Sequence, residues 1–258
     1  MRNIDIELEK NRIISFIKTY FRNAGFSKGI IGLSGGVDSS LVAYLAVESL
    51  GKDNVIGVLM PYKTGSQDSF YDGKLIAEKL GIKYIIREIT PMVDAYFDNY
   101  DQNADLLRKG NMMARARMCT LYDLAAKEHA LVLGTSNKTE LYLGYVTQFG
   151  DGACALEPLG CLYKTEVWKL AEMVGVPENI INKTPTADLW EGQTDEGELG
   201  LSYTDADEIL YSIYEKKESI KELIKQGLEK EQVQHIISLV NRNRFKQSIP
   251  PNPETYTL

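Results

Sequence analysis

The sequence predicts an α/β protein built on a doubly wound parallel sheet and followed by C-terminal helices. Three observations lead there. Short, largely apolar runs (GIIGL at 29–33, NVIGVLMP at 54–61, KYIIREI at 83–89 and ALVLG at 130–134) alternate with helical patterns. A strand that is apolar throughout is buried on both faces, as in a parallel sheet covered by helices. The composition, 44% hydrophobic and 25% charged over 258 residues, is that of a globular chain and excludes disorder as the main state.

Each element has its own justification. Ile6, Ile13, Ile14, Ile17 and Phe21 fall largely at helical spacing and stop at Gly25, which predicts an amphipathic helix over 5–24. After the first strand, a Gly-rich turn leads into a helix over 40–50, stopped by Gly51. Pro61 closes the second strand. A helix over about 67–80 ends at Gly81 and precedes the third strand. A long helical stretch from about 104 to 128 leads into the fourth. Val167, Leu170, Ala171 and Val174 sit at i, i+3, i+4, i+7 ahead of Gly175 and Pro177, predicting a helix over 164–174. Residues 184–203 are polar and weakly periodic and read as a lid-like loop. Residues 205–247 read as helical, with Val233, Ile236, Ile237 and Val240 on one face. The proline-rich tail is expected to run extended. The whole of 1–258 is expected to form one domain with its core at about 25–180.

Charge and cysteine usage narrow the function. A net charge of −7 disfavours a broad nucleic-acid face, which needs clustered Lys and Arg. No apolar run approaches the ~20 residues of a membrane helix, and residues 1–20 lack a signal-peptide apolar region. A cytosolic location is expected. Cys119, Cys154 and Cys161 have neither metal-ligand spacing nor an even count, and Cys119 reads as a small core residue. His129 and His235 belong to no motif.

The strongest chemical signal is Gly32-Leu33-Ser34-Gly35-Gly36-Val37-Asp38-Ser39-Ser40, leaving the first strand and entering a helix. Two glycines permit a tight turn whose N–H groups point inward, and a helix N-terminus adds unpaired donors and partial positive charge. This is a phosphate cradle. It is neither a Walker loop nor a dinucleotide fingerprint, since the GK[ST] and GxGxxG patterns are absent. In parallel sheets ligands bind beyond the carboxyl ends of the strands, where this motif lies.

The SGGxDS string resembles the pyrophosphate loop of the ATP pyrophosphatase superfamily. Four further segments are Gly110-Asn111 with Ala114 to Met118, Gly134-Thr135-Ser136-Asn137-Lys138-Thr139-Glu140, Phe149-Gly150-Asp151-Gly152, and Lys183 to Leu189. In this order and spacing, over roughly 10–250, they resemble the ammonia-dependent NAD synthetase family. The resemblance implies an adenine nucleotide alpha-hydrolase-like fold and a two-step reaction. The nicotinate carboxylate of deamido-NAD is adenylated by ATP with release of pyrophosphate, and ammonia then displaces AMP to give NAD. It implies ATP as co-substrate, Mg²⁺, and a homodimer with substrate sites near the subunit interface. No glutamine amidotransferase segment is present in the sequence.

By that resemblance, residues 32–39 (Gly32, Leu33, Ser34, Gly35, Gly36, Val37, Asp38, Ser39) with Thr135, Lys164 and Thr186 contact ATP. Asp38 and Glu140 hold Mg²⁺, and Arg115 and Lys246 contact deamido-NAD. Lys164 has separate support. A lysine at a helix start opposes the macrodipole, and a bound phosphate would relieve the conflict; the bland alternative is an exposed lysine. Arg115 and Arg117 flank the apolar stripe of their helix on opposite sides, and Arg117 is left open between a carboxylate pair and an ATP contact. Asp151 is the candidate for holding ammonium and taking its proton, against the alternative that it only shapes its turn. Gln148, Ala155 and Phe245 stand where many family members have Lys, an acid and His. These departures touch the dinucleotide side and leave the ATP side intact. Two other readings are base amination or tRNA thiolation, and a nucleotide sensor without turnover. The acidic charge and lack of paired catalytic cysteines disfavour thiolation. The Thr186-Ala187-Asp188 segment is not expected of base amination, and intact Asp38, Glu140 and Lys164 disfavour a sensor.

Overall fold

A computed structural model describes residues 2–190 and 192–248. Four parallel strands, β1 (Lys28–Gly32), β2 (Val55–Leu59), β3 (Lys83–Ile86) and β4 (Ala130–Val132), form one sheet in the order β3-β2-β1-β4. Register pairs Ile30 with Ile56 on one side and with Val132 on the other. Helices α1 (Ile6–Ala24), α2 (Val37–Leu50) and α3 (Gln67–Leu80) precede β4, as do α4 (Thr90–Tyr100) and α5 (Leu106–Glu128). After β4 come α6 (Lys138–Leu143), α7 (Lys164–Val174), α8 (Glu178–Ile181), α9 (Asp195–Leu199), α10 (Tyr203–Leu210), α11 (Ile220–Lys225) and α12 (Lys230–Asn243).

The layers follow from side-chain alternation. Ile31 and Leu33 pack with Ile13 and Ile17 of α1, Leu41 and Leu45 of α2, Ile76 of α3, and Val167 and Leu170 of α7. Ile30, Ile56, Val58 and Val132 pack on the opposite face, against Leu124 and Ala125 of α5. Both faces are therefore covered, as the apolar strands require. Burying a side chain such as Ile31 contributes roughly 1.5–3 kcal/mol. A further cluster, with Tyr163, Leu199, Tyr203, Ile209, Val233 and Ile236, carries the C-terminal helices.

Several expectations change. β3 is not a buried strand: it is an edge strand, only half covered, and ends at Ile86. α2 starts at Val37, three residues earlier than predicted, because Gly36 is already its cap. α4 was not predicted. Pro91 sits in its first turn and Val93 and Phe97, one turn apart, bury its inner face. Asp105 caps α5 through the Arg108 N–H, so the long helix begins at Leu106. The predicted 184–203 loop contains α9, capped by Thr194. The 205–247 stretch is several pieces, interrupted by a π turn at Tyr211–Glu215 and by Lys217 and Gly227 in the left-handed region. Cys119 is exposed rather than core. Apart from Ser248, the tail lies outside the described residues.

Gly35 joins fold to site. Its φ is +77°, and a Cβ there would lie 2.1 Å from the Ser69 carbonyl oxygen of α3. Gly175 shares the positive φ, at +83°, but has open space around it. Gly175→Ala is expected to cost about 1 kcal/mol from conformation alone. Gly35→Ala adds a backbone clash and should cost at least about 2 kcal/mol more. Urea unfolding of the two variants checks the difference.

Candidate active site

Beyond the carboxyl ends of β1, β2 and β4 lies a cavity of about 710 Å³. The β1–α2 loop forms its floor. Ser34 Oγ accepts the Gly36 N–H at 3.2 Å, and Ser39 and Ser40 donate to the Gly36 carbonyl. The loop's hydroxyls thus hold its own backbone. No side chain caps the first turn of α2, which leaves its amides available to an anion.

Asp38, Glu140 and Lys164 come together although they are up to 126 residues apart. Lys164 Nζ lies 2.6 Å from Asp38 Oδ2 and 3.5 Å from Glu140 Oε1, and its side chain is 3% exposed. Asp38 also accepts from Asn137 Nδ2 at 2.9 Å. Glu140 completes a capping box, its Oε2 accepting the Asn137 N–H while Asn137 caps α6. The Asn-x-x-Glu spacing carries a sequence signature for that cap. Lys164 is neither solvated nor exposed. Two carboxylates relieve its conflict with the helix dipole. Burial alone would lower its pKa, but Asp38 and Glu140 reverse this and hold it above the usual lysine value. Burial, then Asp38, raises Glu140, against the pull of Lys164. The short Asp38 contact supports a charged lysine, with Glu140 holding its proton more tightly than an ordinary carboxyl.

Asp207 of α10, missed in the sequence, sets this geometry. It is 1% exposed and accepts from Thr139 Oγ1 and from the Thr165 N–H at 2.9 Å. Thr139 Oγ1 in turn accepts the Lys164 N–H at 3.0 Å. One buried carboxylate therefore ties the starts of α6 and α7. Its signal was an acid on the stripe of Tyr203, Ala206 and Leu210.

Thr135 and Thr186 both line the cavity, as do residues 32–39 and Lys246. Lys246 donates to the carbonyls of Gly144 and Val146. Of the two arginines, Arg117 enters the cavity, donating to the Met60 carbonyl at 3.2 Å. Burial works against its charge, which Asp188 and Asp151 support. Arg115 is outside the cavity lining, exposed, with one contact to the Gln148 carbonyl. Asp151 lines the cavity, but its Oδ1 accepts the Thr147 N–H at 2.9 Å, the bond of a turn-shaping carboxylate. Its residue surface is exposed while protein crowds the carboxyl group, and that desolvation raises its pKa. His129 caps α5 and stacks on Phe26, and His235 bonds the Leu199 carbonyl. Both histidines are structural.

Residues of the 184–203 segment line the cavity and are held there by polar ties. Asp188 Oδ2 accepts the Ser66 N–H, Tyr145 donates to Glu198, and Tyr203 donates to Asp195. Leu189 and Trp190 lie on Gly110 of α5, where a Cβ would meet them at 3.0 and 3.2 Å.

Residues 9–250 match the family model described as NAD synthase. The chain belongs to the NAD synthase family. It is 49% identical over 252 residues to an NH(3)-dependent NAD(+) synthetase of Fusobacterium nucleatum, covering 97% of each chain. Among solved structures, it superposes with a TM-score of 0.83 on an NH3-dependent NAD synthetase of Campylobacter jejuni. That pair is 34% identical, covering 97% of this chain and 99% of that one. A structure of NMN synthetase from Francisella tularensis gives 0.87 at 31% identity, with the same coverage. This family has the adenine nucleotide alpha-hydrolase fold that the sequence led us to expect.

Lys164→Met is expected to leave two facing carboxylates without their cation. Breaking such a buried pair costs about 3 kcal/mol or more, which equilibrium denaturant unfolding without nucleotide measures.

Proposed function

We propose that this protein makes NAD from deamido-NAD, ATP and ammonia, through adenylation of the nicotinate carboxylate. The observation that carries the reading is the phosphate-type loop of residues 32–39 set against the Asp38–Lys164–Glu140 cluster in one cavity. A carboxylate is a poor acyl donor, and adenylation supplies the leaving group. Cleavage between the α and β phosphates places charge on pyrophosphate. Backbone N–H groups at Gly35 and the start of α2 are suited to stabilise it. Lys164 is placed beside that loop, and Thr135 and Thr186 supply hydroxyls on the cavity wall.

The donor set fits Mg²⁺. Among the described residues no cluster of three or more His, Cys, Asp and Glu is arranged for a metal. Mg²⁺ commonly takes only one or two carboxylates and completes its shell with water and phosphate oxygens. Asp38 and Glu140 would hold it, and it would supply positive charge to the phosphates. Lys164 keeps the two carboxylates together and oriented. Arg117 and Lys183 add positive charge to the cavity, Lys183 being held by Ser69 and Asp72. Lys246 meets deamido-NAD inside the cavity, and Arg115 meets the part that extends beyond it. Asp151 contributes negative charge that attracts ammonium. We place the enzyme in the cytoplasm as a homodimer; no helix among the described residues is long and apolar enough to cross a membrane.

Incubation with ATP, Mg²⁺, deamido-NAD and ammonium should yield AMP, pyrophosphate and NAD in equal amounts. The same assay with nicotinate mononucleotide ranks the smaller acceptor. Asp38→Asn and Glu140→Gln should each lower pyrophosphate release by about 100-fold or more. Near-normal turnover would remove either residue from the metal site.

Limited proteolysis tests the lid. The polar ties of residues 184–203 should break readily without ligand, and cleavage should slow when ATP and deamido-NAD are bound together. Equal rates with and without ligands would show that the segment is not a lid.

A further inference from the structure

Lys183 borders the 184–203 segment, and its ammonium group is set against α3. Nζ donates to Ser69 Oγ at 3.1 Å and to Asp72 Oδ2 at 2.9 Å. Asp72 Oδ1 accepts a further bond from Asn179 Nδ2 at 3.0 Å, so that carboxylate is itself held. Ser69 is also the residue whose carbonyl oxygen lies against Gly35, and a Cβ on Gly73, one turn further along α3, would lie 3.4 Å from the Gly35 nitrogen. Ser69 thus touches the phosphate loop with its backbone and Lys183 with its side chain. Ser69 and Lys183 both line the cavity, whereas Asp72 does not. Ser69 Oγ accepts from Lys183 and keeps its own O–H to donate. Two of the three ammonium donors of Lys183 are taken among the described residues, which leaves one. The other cations of the cavity wall are placed differently. Lys164 lies between Asp38 and Glu140, Lys246 donates to the carbonyls of Gly144 and Val146, Arg117 is anchored on the Met60 carbonyl, and Arg242 is exposed on α12.

We propose that Lys183, together with the Ser69 hydroxyl, binds the pyrophosphate that ATP gives up. The inference rests on the proposed adenylation. In that step a carboxylate oxygen of the nicotinate bonds to the α-phosphorus. The bond from that phosphorus to the bridging oxygen breaks, and the oxygen leaves on pyrophosphate with the electron pair. Negative charge therefore grows on the leaving group, where a cation held in advance stabilises it most. The amides of the loop and of the first turn of α2 donate hydrogen bonds but carry no full charge. The Asp38–Lys164–Glu140 cluster brings two carboxylates for its one cation. Lys183 meets one carboxylate only, and that one stands outside the cavity lining. Its side chain is 25% exposed, open enough for a phosphate oxygen to reach, against 3% for Lys164. Ser69 and Asp72 keep the ammonium group in place while its remaining donor meets the phosphate oxygen, so the lysine need not move. The same contact ties the base of the 184–203 segment to the leaving group.

The test is binding of two probes, inorganic pyrophosphate and AMP, to the full chain by titration calorimetry in the presence of Mg²⁺. Lys183→Met should weaken pyrophosphate by about 10-fold or more, the loss of a hydrogen bond to a charged group, and leave AMP unchanged. Lys183→Arg, retaining the charge, should recover part of the pyrophosphate affinity. Asp72→Asn removes the competing carboxylate and should not weaken pyrophosphate. A loss there as large as that of Lys183→Met would mean that the pair only fastens the chain to α3, and would overturn the assignment. Ser69→Ala keeps the backbone contact with Gly35, and it carries the test if Lys183→Met does not fold, with the same selective loss expected. Equal weakening of both probes, no weakening of pyrophosphate, or no measurable binding of pyrophosphate to the wild type would overturn the assignment. Failure of the wild-type enzyme to release pyrophosphate from ATP with deamido-NAD would instead overturn the proposed function.

Discussion

The positive charge of Lys164 is confined among groups drawn from three helices. It is buried at the first residue of α7, against a carboxylate from the first turn of α2 and another from the first turn of α6. A cation there is costly to desolvate and sits at the wrong end of a helix dipole. The two carboxylates offset both penalties, and neither would stay beside the other without the lysine. Each helix start is thereby held at the cavity by the charge of the others. Asp207 extends the constraint to α10 through Thr139 and Thr165. The Tyr203 ring, also of α10, lies 5.0 Å from Lys164 Nζ. The C-terminal helices are thus tied electrostatically, as well as by their apolar cluster, to the centre they cover.

The same arrangement divides labour within the cavity. Its floor is backbone, held by the hydroxyls of Ser34, Ser39 and Ser40 and by the close approach of Gly35 to α3. One wall carries the charged cluster and the other the α5 face with Arg117. The 184–203 segment adds Asp188, Asp195 and Glu198 through hydrogen bonds that can be broken singly. Rigid groups therefore surround the loop proposed to hold phosphate, and adaptable ones surround the entrance. That distribution suits a reaction in which pyrophosphate must be held before a second substrate arrives.

The β4 side has a different character. Here Asp151 sits in its turn with the Lys246 ammonium acting on it, and Glu157 lies behind Gly134. The phosphate-loop end instead combines backbone amides with the Asp38–Lys164–Glu140 cluster. The leaving phosphates are anionic and the entering nitrogen arrives as a cation.

What the sequence by itself determined was local or periodic. The four strands, the helices over 6–24, 67–80 and 164–174, and the phosphate loop were legible because apolar period, glycine stops and a contiguous motif are properties of neighbouring residues. Asp38, Glu140 and Lys164 were legible as family positions, but not as an ion cluster, because pairing across 126 residues leaves no trace in local pattern. The edge position of β3, the separate helix α4 and the division of 205–247 were decided by packing, since solvent on one side of a strand is a property of sheet order. Choosing Arg117 over Arg115 for the cavity needed the tertiary structure, because helical phase places the two on opposite sides of a stripe without saying which side faces the ligand. Asp207 emerged only there, since the role of a buried carboxylate is set by the donors that surround it, and those come from other parts of the chain.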